Sequence, residues 1–181
     1  EPPAQCEVNG SANKGGDEMK ITDVRSVKLE GELERSEPIW EERIAMPLDA
    51  YPEFRGRGAE EVMPTWMGRD PSEGKIPISC VFVEVESDDG TVGFAGPIDE
   101  AQAFLIDHMV RPYVIGEDPM AHERIWDRMY RGIEAHGRKG TPMQALSAVD
   151  CAIWDLKGKL AGEPVYRLLG GPLRDEVPAY A

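Results

Sequence analysis

Leu146, Val149, Ile153, Leu156 and Leu160 recur at intervals of 3, 4, 3 and 4, which draws one apolar helix face. Ala145, Ala148 and Ala152 form a second stripe of small residues, where another backbone can approach closely. Together they predict a long helix buried on two sides, followed by a short one over Pro164–Leu169 that a double glycine closes. Upstream, Ile125, Met129, Gly132 and Ile133 give a helical stripe opened by Asp118 and Pro119 and closed by Gly137. Asp99 is the expected N-cap of a further helix over Glu100–Val110, ended near Pro112. Thr141 is the expected cap of the long helix, with Pro142 at its first position.

Before the helices the pattern changes period. In Ile78–Ser87, Val81, Val83 and Val85 take one face while Phe82, Glu84 and Glu86 take the other. Asp88-Asp89-Gly90 supplies a turn and TVGFAGPI returns as the partner strand. Ile21–Gly31 alternates less regularly, but its β-branched content favours a strand. Three strands followed by three helices predict an α+β fold, a three-stranded antiparallel meander with helices packed beside it. Glu32–Pro77 is read as a long irregular loop; its Trp40, Tyr51, Phe54 and Trp66 argue against disorder, so it is expected on the substrate side. Residues 1–18 are polar and Gly-rich, and are expected to form a disordered extension ahead of Met19.

Composition narrows the function classes. The 181 residues carry 41% hydrophobic and 30% charged side chains, with a net charge of −14, which repels phosphate backbones and leaves no basic stripe for nucleic acid. No run is apolar enough for a membrane span. Cys6, Cys80 and Cys151 are too widely spaced for a disulfide framework or a zinc site; a cytoplasmic setting is expected, with Cys80 and Cys151 in the core.

Few residues point to chemistry directly. Asp150 and Asp155 differ by about 140° around a helix, so they do not share a metal. Asp155 and Lys159 are four apart and read as an exposed ion pair. His136-Gly137-Arg138-Lys139-Gly140 follows a helix rather than a strand, which makes it a basic interhelical turn and not a phosphate loop. His108, His122 and His136 have no partner at ligand spacing and read as surface or helix-end residues. Arg55, Arg57 and Trp66 are the substrate-binding candidates, since guanidinium groups fork onto carboxylates; the alternative is that the arginines are solvated charges balancing Glu53, Glu60 and Glu61.

The stretch A-x-S-A-V-D-x-A-x-W-D-L-x-G-K-x-x-G-x-P-V-Y-x-L-L-G-G, from Ala145 to Gly171, resembles the first signature of the mandelate racemase and muconate-lactonizing branch of the enolase superfamily. The meander and helices are similar to that branch's N-terminal capping domain. IAMPLDAYPEF, VFVEVESDDGTVGFA, IWDRMY and GGPLRDEVPAYA resemble its acid-sugar dehydratases, most of all those of the L-rhamnonate type. The resemblance implies a capping domain over residues 19–162, then a linker and the first strand of a (β/α)8 barrel over 163–181, with the barrel itself outside this chain.

It further implies that Arg57, or alternatively Arg55, contacts a small-molecule sugar acid. A histidine that shares this role in the family has no counterpart, because none lies between Met19 and His108. Mg²⁺ and the catalytic base are implied on the barrel, so no catalytic or metal residue is assigned here and the chain alone is expected to be inactive. The whole enzyme is expected to be a homo-oligomer. The alternatives are a gluconate or galactonate dehydratase, a racemase of the same branch, or a free-standing binding domain.

Overall fold

The computed structural model describes residues 19–35, 47–54 and 74–179. Arg55, Arg57, Trp66 and the expected disordered extension over 1–18 lie outside the described residues. The element order is β1 (Ile21–Arg35), β2 (Gly74–Ser87), β3 (Val92–Ile98), α1 (Glu100–Leu105), α2 (His122–Ile133), α3 (Thr141–Ala161) and α4 (Val165–Leu168). The sheet is antiparallel with order β1-β2-β3, and the α+β expectation holds.

Alternation decides which sheet face is buried. Val24, Val83 and Val85 are fully buried against the helices, while Arg25, Glu84 and Glu86 meet on the opposite face, with Arg25 bonding both glutamates and Asp23. The β2–β3 turn is built as its residues dictate. Gly90 takes φ +83°, and Asp89 accepts from Ser87 Oγ at 2.7 Å and the Thr91 amide at 2.9 Å. Those bonds hold the Asp89 carboxyl below its ordinary range.

The strands run further than alternation suggested. β1 continues to Arg35 and β2 begins at Gly74, so Glu32–Arg35 and Gly74–Pro77 belong to a ribbon rather than to the irregular loop. Glu32 and Glu34 hid this, because Glu32, Leu33 and Glu34 are all exposed and such a segment needs no apolar alternation. The helix expected over Glu100–Val110 is also not uniform. A capping box of Asp99 and Gln102 opens α1, but Ile106–Val110 winds as a π turn and Arg111–Tyr113 as a 3-10 turn. The wider turn leaves both Ile106 and Val110 in the core.

α3 carries the core. Ala145, Leu146, Val149, Ala152, Ile153 and Leu156 are buried, with Leu160 half-buried. Thr141 is its first residue, not its cap; Gly140 at φ +74° occupies that position and offers no side chain. Cys80 is half-buried and Cys151 exposed, so neither is the core residue expected. The signature helix ends on Gly162 at φ +66°, in the left-handed cap that glycine favours. Glu176–Ala179, the described part of the expected strand, is not in a strand.

Candidate functional site

The signature residues first explain themselves as architecture. Gly93 of β3 lies so close to α3 that a Cβ there would stand 2.1 Å from the Ala152 carbonyl oxygen. This is the close approach that the alanine stripe predicts. Asp155 Oδ2 accepts from the Phe94 amide at 2.8 Å, and Lys159 Nζ donates to the Val92 carbonyl at 2.7 Å. The two side chains also pair with each other at 2.7 Å, as their spacing predicts. What spacing did not reveal is that the pair clamps the outer edge of β3. Gly158 lets the Glu163 carbonyl fold back against the helix, at 2.9 Å from where a Cβ would be.

A second cluster joins α2 to the other flank of α3. Lys157 is 8% exposed, and its Nζ lies 2.9 Å from His122 Nδ1 and 4.1 Å from the centre of the Trp154 ring. His122 is itself tilted against that ring at 4.2 Å. Burial pushes the Lys157 amine below its ordinary value, opposed by Glu123, Asp150 and Asp118. Burial pushes the half-buried Asp150 carboxyl up; His122 and Lys157 oppose that rise and Glu123 adds to it. His122 does begin a helix, but it is a packed partner rather than a surface residue. Nothing in its local sequence reveals this, because Lys157 lies 35 positions away.

The described residues also form an open groove of about 580 Å³ where the end of β3, α1 and the start of α3 converge. Pro97 and Ile98 form one wall, Met143 and Ser147 another, and Arg138 and Lys139 stand at the rim. Gln102 bridges to Gln144 at 3.2 Å across it. The N-terminus of α3 opens here with no side-chain cap, so its unsatisfied amides add to the two cations. On a chain of net charge −14 this is a local electropositive patch. The turn read as basic and interhelical is thus the rim of this groove. Cys151 lines the groove, but burial first and then Asp150 raise its thiol, which argues against a nucleophile.

Among the described residues no group of three or more His, Cys, Asp or Glu side chains could hold a metal ion. Asp150 and Asp155 point to different neighbours, the Lys157 cluster and the Phe94 amide, as their angular separation requires.

A meander whose last strand is clamped to a signature helix by an Asp and a Lys defines a class. Residues 74–170 match the mandelate racemase / muconate lactonizing enzyme N-terminal domain model, and the chain belongs to that family. An L-rhamnonate dehydratase of Saccharopolyspora erythraea is 36% identical over 169 residues, covering 90% of this chain and 40% of its own. The crystal structure of L-rhamnonate dehydratase from Gibberella zeae superimposes with a TM-score of 0.66 at 30% identity, over 89% of this chain and 37% of that one. A mandelate racemase/muconate lactonizing protein from Paracoccus denitrificans, solved in complex with magnesium, gives 0.56 at 26% identity, over 86% and 31%. The chain spans only about a third to two fifths of the length of the curated relatives it matches, 32% and 40% for the first two.

Proposed function

We propose that this chain is the capping, specificity-setting portion of an acid-sugar dehydratase acting on L-rhamnonate or a closely related aldonate. The observation that carries the reading is the pairing of the family's N-terminal domain with 36% identity to an L-rhamnonate dehydratase along 90% of the chain. The reaction removes the proton α to the carboxylate and expels the 3-hydroxyl as water, leaving a 2-keto-3-deoxy acid. That α-proton is very weakly acidic, and a bound Mg²⁺ supplies the charge that makes its loss feasible.

Among the described residues no cluster of ligands suits the metal, and on this reading the ion is held by the barrel portion of the complete enzyme. The work of this portion is to shape the space over the substrate and exclude water. The groove beside Arg138 and Lys139 favours an anionic ligand, in keeping with a sugar acid. Arg57, with Arg55 as the alternative, is the proposed carboxylate or hydroxyl contact. The chain alone is expected to be inactive.

The test is a panel of aldonates presented to the complete enzyme with Mg²⁺, following release of the 2-keto-3-deoxy product, and to this chain in parallel. Turnover of L-rhamnonate or a stereochemical neighbour by the complete enzyme alone is the expected result. Racemisation of a 2-hydroxy acid without dehydration, or turnover by this chain, refutes it.

A further inference from the structure

The sheet has two lateral edges, and the molecule treats them differently. On β3 two outward-facing groups are taken up by α3, through Asp155 on the Phe94 amide and Lys159 on the Val92 carbonyl. On β1 only the beginning is covered. Ile21 exchanges bonds with Gly116 and Glu117, and Asp23 Oδ1 accepts from the Val24 amide at 2.9 Å. From Ser26 to Glu34 no backbone partner lies on the outer edge among the described residues. An open strand edge of this length is a template for pairing with another chain.

Which groups face outward follows from the ladder. Phe94 and Val92 turn their backbone groups away from β2, and they stand opposite Glu84 and Glu86. Those two residues therefore direct theirs to β1, where Arg25 stands opposite Glu84. Arg25 returns its groups to β2, so Val24, Ser26, Lys28, Glu30, Glu32 and Glu34 present theirs to the outside. The Asp23 bond to the Val24 amide agrees.

We propose that the β1 edge pairs antiparallel with the β1 edge of a second copy of this chain, about a two-fold axis at Leu29, giving a continuous six-stranded sheet. The register is selected by charge. With Leu29 opposite Leu29, Lys28 faces the partner's Glu30 and Glu30 faces the partner's Lys28. A slip of one residue on the axis in either direction puts Lys28 opposite Lys28 or Glu30 opposite Glu30, and like charges directly opposite are destabilising. Only even-numbered residues meet as hydrogen-bonded pairs in this register, which is the set that faces outward. Leu29 falls at the closer, non-hydrogen-bonded position, and it is 51% exposed in the single chain. Gly31 stands opposite Val27 and leaves it room. The pairing exchanges roughly eight to ten backbone bonds, and the interface is isologous, as a two-fold requires. It does not depend on the enzymatic reading.

Sedimentation velocity on the 181-residue chain over about 5 to 200 μM tests it. A concentration-dependent dimer is expected. Lys28→Glu, which sets two acidic pairs against each other, should raise the dimer dissociation constant by about tenfold or more. The double exchange Lys28→Glu with Glu30→Lys restores opposite charges and should return it to within about threefold. Glu30→Pro removes an outward N–H that the β1–β2 ladder does not use, and should abolish the dimer with little change in melting temperature. A monomer throughout overturns the proposal. So does association that Lys28→Glu leaves unchanged, which would locate the contact on another face, or a loss that the double exchange fails to restore.

Discussion

Gly93→Ala should damage this protein more than any other single added methyl group on the sheet. The new Cβ would lie 2.1 Å from the Ala152 carbonyl oxygen, 2.6 Å from Leu156 Cβ and 2.7 Å from the Leu156 amide. Carbon contacts rest near 3.5–4.0 Å, so β3 and α3 must part by about 1 Å or more. Two of the three obstructing atoms are backbone, and no rotamer change clears them. Overpacking usually costs about 1–3 kcal/mol. A clash against fixed backbone at the main sheet–helix contact belongs at the top of that range or beyond, about 3–4 kcal/mol, a large share of a typical domain's 5–15.

Urea denaturation followed by far-UV circular dichroism measures it, with the slope checked for constancy so that the midpoint reports stability. Ala152→Gly added to Gly93→Ala should bring no rescue, because the obstacle is a carbonyl and not the alanine methyl. Gly90→Ala is the matched control; it meets nothing within 4 Å and suffers only its φ of +83°, which costs about 1–2 kcal/mol. A loss below about 1 kcal/mol for Gly93→Ala, or rescue by Ala152→Gly, refutes the close-approach account.

Further outcomes follow from the two clusters and the loop. Asp155→Ala and Lys159→Ala each release one bond to the exposed edge of β3 and should cost about 1 kcal/mol, with a double-mutant cycle showing coupling between them; independent, additive losses would contradict the clamp. Lys157 is held below its ordinary value of 10.5, so between its folded value and 10.5 the unfolded chain binds more protons and stability rises with pH; Lys157→Met should abolish that rise in thermal melts taken across alkaline pH. Asp150 is shifted the other way, so its contribution is full below 3.8 and fades as pH climbs through its folded value; Asp150→Asn should flatten that acid limb. In the complete enzyme, Arg57→Ala should lower kcat/KM roughly ten- to a hundredfold with little loss of melting temperature, and Lys should not substitute for the planar fork; kinetics within about twofold for both Arg57→Ala and Arg55→Ala would remove the loop as the specificity element.

Legibility followed the range over which each interaction acts. Periodicity found α2, α3 and the β2–β3 hairpin because burial of one face writes itself into adjacent residues. Asp99 was readable as a cap because its partner Gln102 is three positions on. The ribbon of Glu32–Arg35 with Gly74–Pro77 was not, since Glu32, Leu33 and Glu34 are all exposed and alternation has nothing to report there. The Lys157–His122 contact and the Asp155 bond to Phe94 join residues 35 and 61 positions apart, and no local pattern encodes such a meeting. The groove rim was visible as a basic turn, but its concavity depends on where β3 ends, which only the fold supplies.

The signature over Ala145–Gly171 is often the feature by which such a chain is noticed, and here its polar residues serve the scaffold. Asp155 and Lys159 hold the edge of β3, Gly158 admits the returning Glu163 carbonyl, and Gly162 ends the helix. None of them approaches a geometry suited to proton abstraction. Yet β3 runs from this clamp straight into Pro97 and Ile98, which wall the groove, and α3 runs back to its uncapped N-terminus on the same groove. A rigid strand–helix unit thus fixes the spacing between the two walls and the cations at the rim. A change at Gly93 or Asp155 should therefore reach the groove without touching it, by altering that spacing. On the proposed function, a motif without a reacting group then acts through that spacing, and its residues differ in kind from Arg57, where a loss should fall on turnover and leave stability in place.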